Sequence, residues 1–325
     1  MRILILIFSI ILFLFGTFPI YGEEGVIDVL FTSDLHCQVL PVEKVNQDKW
    51  GGIIQVGDLI ESYRRRFPEI ILLDGGDYAQ DFYSWNHELF KGYPVLDWFN
   101  TMSFDAVNIG NHELYYGEEG LGIILSRLRI PVVCANFLSP EEMKVKFPPY
   151  VILERVGKRI GIIGLITQEY FPYRHFLDFG LEDLVTTARF YVNKIRNDCD
   201  VIIVLGHLRT EETQRLALEV KGIDLILSGH EHSDREEPLY FNGIPCFENF
   251  SRGEYFWHIK FTISDTGIEN LKCEKVEVKN NLPPDRILSL SQNLVSPYLP
   301  EVESRENWSL FSLFALLAGI LWALL

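Results

Sequence analysis

Five short segments of the chain end in residues that bind divalent cations: Ser33-Asp34-Leu35-His36, Asp74-Gly75-Gly76-Asp77, Gly110-Asn111-His112-Glu113, Gly206-His207 and Gly229-His230-Glu231-His232. Carboxylate, amide oxygen and neutral imidazole together suit Zn, Mn, Fe or Co, and one carboxylate can bridge two such ions about 3.5–4 Å apart. Two divalent metal ions held in this way clamp a phosphate and activate a water for in-line attack at phosphorus, and their charge offsets the charge that develops on the oxygens. Any one segment alone is an ordinary loop. Asp-x-His is common, Gly-Asn-His-Glu also suits a turn running into a helix cap, and a histidine at a strand end is most often simply hydrogen-bonded. Chance rarely assembles all five in one chain.

The segments must be brought together by the elements that precede them. Apolar runs at 26–32, 70–73, 106–109, 132–135, 159–165, 201–205, 224–227, 245–248 and 256–263 predict strands. Longer amphipathic stretches at 52–66, 92–102, 118–128, 181–197 and 211–220 predict helices. The alternation predicts an α/β domain, and several strands are apolar throughout, as strands covered on both faces are. In open α/β folds ligands bind at the carboxyl ends of strands, which is where all five segments fall. Their glycines allow sharp turns and close approach. One catalytic domain over 23–278 accounts for these elements. Residues 279–307 are polar, contain Pro283, Pro284, Pro297 and Pro300, and read as a stalk.

The two ends read differently from the middle. Residues 3–15 and 310–325 carry no charge. The first run follows Arg2, gives way to Gly16, Pro19 and Gly22, and is shorter than the roughly 20 residues of a spanning helix, so 1–22 reads as a secretory signal peptide. The hydrophobic C-terminal tail, 308–325, stops without a basic flank and reads as a signal exchanged for a glycosylphosphatidylinositol anchor, with a short membrane anchor as the alternative. Both ends predict an exported, cell-surface protein tethered to the membrane through its tail. The 29 basic against 45 acidic residues give a net charge of −16, which argues against a nucleic-acid duplex as partner. Five cysteines are too few for a disulfide-stapled miniature fold, and in an oxidising compartment they allow one or two bridges with a thiol left over. The sequons Asn249-Phe-Ser251 and Asn307-Trp-Ser309 fit a lumenal route.

Over 26–262 the chain resembles the calcineurin-like metallophosphoesterase superfamily, and within it the branch of 5′-nucleotidases and 2′,3′-cyclic phosphodiesterases. Besides the five segments, the resemblance rests on Gly51-Gly52-Ile53, Leu72-Leu73 before Asp74, Phe104-Asp105-Ala106-Val107, Ala135-Asn136, Gly164-Leu165-Ile166-Thr167 and the run 222–228. It implies a four-layer αββα fold, two mixed sheets packed together with helices outside. It also implies that Asp34, His36 and His232 hold one ion, that Asn111, His207 and His230 hold the other, and that Asp77 bridges them. His112 is implied as the histidine that contacts the phosphate and stabilises or protonates the leaving oxygen, a task an imidazole performs near neutral pH. The implied activity is hydrolysis of small phosphate monoesters, nucleotides foremost. The alternatives are a phosphodiesterase acting on cyclic nucleotides or lipid head groups, and a metal-stabilised surface binding protein.

The chain departs from that branch in three places. Tyr115 stands where an acid partners the histidine, Asp81 replaces a usual glycine, and the C-terminal domain that stacks the nucleobase has no counterpart in this sequence. Tyr78, Phe82, Tyr83 and Trp85 follow Asp77 and line the cleft or cover the core. His87, His175 and His258 lie outside the pattern and are expected in surface or structural roles.

Overall fold

In the first strand, β1 (Val26–Thr32), Ile27, Val29 and Phe31 enter one apolar cluster while Leu30 enters another, so its two faces are covered by different layers. The computed structural model describes residues 25–43, 49–79, 93–115, 117–139, 141, 144–168, 179–279 and 281–295. The expected signal peptide, the hydrophobic tail, Asp81, Phe82, Tyr83, Trp85, His87, His175 and the Asn307 sequon lie outside the described residues.

After β1 the chain runs through β2 (Val42–Glu43), β3 (Lys49–Trp50), α1 (Ile53–Arg66), β4 (Ile71–Asp74), α2 (Tyr93–Met102), β5 (Ala106–Asn108), α3 (Asn111–Leu114) and α4 (Gly117–Arg127). It continues with β6 (Val132–Val133), β7 (Phe137–Leu138), β8 (Tyr150–Arg155), β9 (Lys158–Ile166), β10 (Gly180–Leu181), α5 (Leu184–Ile195), β11 (Val201–Leu208) and α6 (Thr210–Glu219). The last elements are β12 (Leu225–His230), β13 (Leu239–Phe241), β14 (Ile244–Glu248), β15 (Tyr255–Ser264), β16 (Gly267–Glu277) and α7 (Pro284–Val295).

Two six-stranded sheets form, ordered β16-β15-β1-β4-β5-β6 and β13-β14-β12-β11-β9-β8. Each is parallel at its centre and antiparallel towards an edge, as in β1 against β15 and β8 against β9. Residues of alternate parity set the layers. Ile27, Val29, Phe31, Val201, Ile203 and Leu205 pack between the sheets, whereas Ile202 and Val204 face α5 and α6 and Leu30 and Leu72 face α1 and α2. Three apolar layers between four layers of elements give the αββα arrangement expected from the sequence. Directional bonds join the sheets as well. Asn108 Nδ2 donates to the carbonyls of Leu165 at 2.7 Å and Leu205 at 3.0 Å, Asn136 exchanges two hydrogen bonds with Ile166, and Asn249 Nδ2 donates to Phe31 at 3.0 Å.

Several expectations change. The stretch read as a stalk contains α7, whose Ile287 is buried and whose Leu290 and Leu294 pack on the cluster beneath α1 and α2. Pro283 and Pro284 open this helix, where a missing N–H costs nothing. Ile287→Ala is therefore expected to lower stability by about 2–3 kcal/mol in urea unfolding. A free stalk would show a change within about 0.5 kcal/mol. The five cysteines are all unpaired and four of them are buried, so no bridge forms. Asn249 is 1% exposed and committed to Phe31, which leaves its sequon no room to be modified. Tyr78 is fully buried with its ring 5.2 Å from that of Phe99, and it covers the core instead of lining a cleft. His258 is structural as expected, with Nε2 2.8 Å from Asp28 Oδ1 and its ring against Tyr63 and Phe67. Among the described residues no helix is long and apolar enough to cross a membrane.

Candidate metal centre

Asp34 and His36 lie on the turn that leaves β1, Asp77 on the turn after β4, and Asn111 at the start of α3, all from the first sheet. His207 is the next-to-last residue of β11, His230 ends β12 and His232 follows it, all from the second sheet. Both groups meet at one edge. His36 Nε2 is 3.1 Å from His232 Nε2, which is 3.3 Å from Asp34 Oδ1. Asn111 Oδ1 lies 3.0 Å from His230 Nδ1 and 3.2 Å from His207 Nε2, and the latter is 3.2 Å from Asp77 Oδ2. All seven residues expected as ligands are brought together, and His112 stands beside them with Nε2 3.7 Å from Asp77 Oδ2.

The backbone is bent to achieve this. Asp34, His36, Asp77, His230 and His232 have φ of 54°, 45°, 54°, 93° and 48°, a region that costs a non-glycine residue on the order of 1–3 kcal/mol. The surroundings hold these turns in place: Asp34 N donates to Gly76 O at 2.8 Å, His36 N to Asp77 O at 2.9 Å, and Arg252 N to Asp34 O at 2.7 Å. Two glycines are needed for close approach, since a Cβ on Gly110 would lie 2.0 Å from Asp77 Oδ1 and one on Gly229 would lie 2.7 Å from Asp34 Oδ2.

Glu113 braces the turn at Asp77. Its carboxylate turns away from His112, and Oε2 accepts from Asp77 N at 3.0 Å and Gly110 N at 2.6 Å while Oε1 accepts from Ala79 N at 2.8 Å. In return His112 N donates to Asp77 Oδ1 at 2.9 Å, so the Asp77 turn and α3 lock each other. Burial and the neighbouring Asp77 push the Glu113 carboxyl up to about 8, against the pull of the Ala79 and Gly110 amides. The only sequence signal for this clamp is the position of Glu113 directly after His112. Tyr115, at the place of the missing acid, sets its ring 5.0 Å from that of His112 and its hydroxyl 3.4 Å from Asn111 Nδ2.

The donor set fits divalent cations. Asp34-His36-His232, His36-Asp77-His112 and Asp34-Asp77-His207 each place three ligating atoms within 4.8 Å of one another. Burial lowers His36 to about 4, with Asp77 and Asp34 opposing it, and burial followed by the charge of His207 lowers His230 to about 4, so both imidazoles are neutral and have a lone pair to give. Burial works to raise both Asp34 and Asp77, but hydrogen bonds and charges from His232 and His207 outweigh it, and both carboxylates stay ionised. His207 is displaced the other way. Burial lowers it, Asp77 more than reverses that, and the ring is raised to about 9.

Comparison with known proteins agrees with this geometry. The family model for calcineurin-like phosphoesterases matches residues 27–234. A snake venom 5′-nucleotidase from Crotalus adamanteus is 30% identical over 70% of this chain, and 5′-nucleotidase from Bos taurus is 28% identical over 70%. The chain spans only about 40% of the length of these relatives. Among solved structures, a 5′-nucleotidase precursor from Thermus thermophilus superposes with a TM-score of 0.72 at 22% identity, covering 83% of this chain and 59% of that one. The calcineurin-like phosphoesterase YfkN from Bacillus subtilis gives 0.67 at 22% identity, covering 85% and 99%. With the family model spanning the stretch that carries every one of the converging ligands, this chain belongs to the calcineurin-like phosphoesterase family.

Proposed function

We propose that the protein hydrolyses phosphate monoesters, nucleotides among them, at two divalent ions. The observation that carries the reading is the convergence of seven donors from two sheets on one edge, with His112 next to the shared Asp77. Asp34, His36 and His232 would hold one ion, Asn111, His207 and His230 the other, and Asp77 both. Such ions, when bound, supply Lewis acidity to the phosphoryl group and activate water near neutral pH. Mixed nitrogen and oxygen donors suit Zn, Mn, Fe or Co.

The chain's own residues have the remaining tasks. Glu113 and the backbone bonds of the Asp34 turn keep the donors in position, so that little reorganisation is needed during reaction. The His112 side chain is 23% exposed beside the candidate donors and can give its proton to a departing alkoxide. Tyr115 packs against that imidazole in place of an acid and the His36 ring lies 4.7 Å away, so the imidazole is oriented by contact while the backbone bond of His112 to Asp77 fixes the main chain beneath it.

The test strips the purified protein with chelator, reloads it with single metals, and presents AMP, an alkyl phosphate, a cyclic nucleotide and a phosphodiester. Turnover of the monoesters is expected only after reloading. Hydrolysis confined to the diesters would favour a phosphodiesterase, and metal uptake without turnover of any ester would favour a binding protein.

A further inference from the structure

Asn108 ends β5, three residues before Asn111, and it is completely buried. Both bonds of its amide nitrogen cross to the other sheet, to Leu165 O on β9 and to Leu205 O on β11, two residues before His207. Its Oδ1 has no hydrogen-bond partner among the described residues. A buried amide with an unmet oxygen costs free energy that leucine, close to it in size, would not. What the amide supplies against that cost is its two donors.

Their effect follows from how the ligands are divided. Asp34, His36, Asp77 and Asn111 are fixed to one sheet and His207, His230 and His232 to the other, so the shape of the centre depends on how the sheets are placed against each other. Between them lie apolar side chains such as Val29, Leu73, Ile162 and Ile203, and apolar contact has no preferred direction. Hydrogen bonds weaken steeply with angle and distance. One amide bonded to carbonyls on two adjacent strands therefore resists sliding both along the strands and across them. Asn136 and Asn249 also join the sheets, and the candidate ligands add His207 Nδ1 3.0 Å from Gly75 O and His230 N donating to Asp34 Oδ1 at 3.1 Å, but among the three asparagines Asn108 is the one that reaches the strand carrying His207 and sits on the strand leading to Asn111.

We propose that Asn108 is a positioning residue for the metal centre, and that its cross-sheet amide sets the separation between the two halves of the ligand set. The inference rests on the metal-dependent reading above. Its test is Asn108→Leu in the full chain. Thermal unfolding is expected to change little, because the lost bonds and the removed unmet oxygen offset each other. Zinc affinity, read by competition with a chromophoric chelator, should fall about 10–100-fold, the usual cost of losing a partner that orients ligands. In reloaded enzyme kcat should fall with KM unchanged, and the exchange coupling in the dimanganese form, read by electron paramagnetic resonance, should shift. Asn108→Ser, which keeps one donor, should fall between wild type and Leu. Wild-type affinity and coupling in a less stable Leu variant would overturn the proposal, as would failure of both variants to fold, which would make Asn108 a packing residue. Wild-type protein that binds no metal would instead refute the reading of the centre itself, because affinity is measured without turnover.

Discussion

Asp77→Asn is expected to bind at most one ion per chain and to lose at least about three orders of magnitude in kcat/KM, roughly 4 kcal/mol of transition-state stabilisation. The substitution keeps the size of the side chain, and its remaining oxygen can still accept the His112 N–H that Asp77 Oδ1 holds at 2.9 Å. What it changes is the other position, where a carboxylate oxygen 3.2 Å from His207 Nε2 becomes an amide N–H donor aimed at the space between the two sets of ligands. The variant also removes the charge that raises His207 to about 9. In wild-type protein freed of metal, a proton and a cation compete for the same His207 lone pair, so below pH 9 the proton must be displaced and metal affinity falls as pH falls, by up to about tenfold per unit for one proton. That slope should weaken in Asp77→Asn between about pH 7 and 9. Metal content by plasma mass spectrometry across this range checks both parts, and a variant with two ions and a normal rate would remove Asp77 from the bridging role.

His112→Ala should leave both ions in place yet slow hydrolysis by about 10²–10⁴-fold, the contribution of a well-placed general acid. The backbone bond from residue 112 to Asp77 survives the change, so the turn it braces should persist. The loss should be large for an alkyl phosphate and small for a nitrophenyl phosphate, whose leaving oxygen needs no proton. An equal loss for both would assign the imidazole to binding the phosphate. The metal count matters here too, because His112 also lies within ligand distance of His36 and Asp77, and an ion lost with the side chain would make it a ligand.

The candidate metal donors were legible because each lies within a few residues of the end of an apolar run, and Asp77, Asn111, His207 and His230 sit beside a glycine, so the pattern that predicts a buried strand also predicts what its end presents. The two-sheet layering was legible for the same reason, although β16 was not. Gly267–Glu277 alternates apolar residues with Glu269, Lys272, Glu274 and Lys275, and an edge strand with one charged face produces no continuous apolar run. The roles of Glu113 and Asn108 were hard to read because, apart from Gly110 beside Glu113, their partners are backbone amides and carbonyls more than 30 residues away, which no side-chain pattern encodes. The helix at Pro284–Val295 was misread because prolines suggest an extended segment until one sees that they stand at its first turn. Tyr78 was ambiguous by its chemistry, since a tyrosine beside a polar turn can face water or, as here, pack on Phe99.

The position of β1 in its sheet bears on how the chain folds. It lies between β4 and β15, pairing Val26 with Thr262 and Phe31 with Trp257 on one side and Phe31 with Leu73 on the other. The strand that carries Asp34 and His36 thus leaves the ribosome long before one of its two neighbours. Closing so long a loop is entropically slow, and chains dominated by distant pairings fold slowly. Asp34 and His36 must therefore wait on an unfinished sheet edge until Tyr255–Ser264 arrives, and a cation meeting the chain earlier finds scattered side chains with no preformed site to occupy.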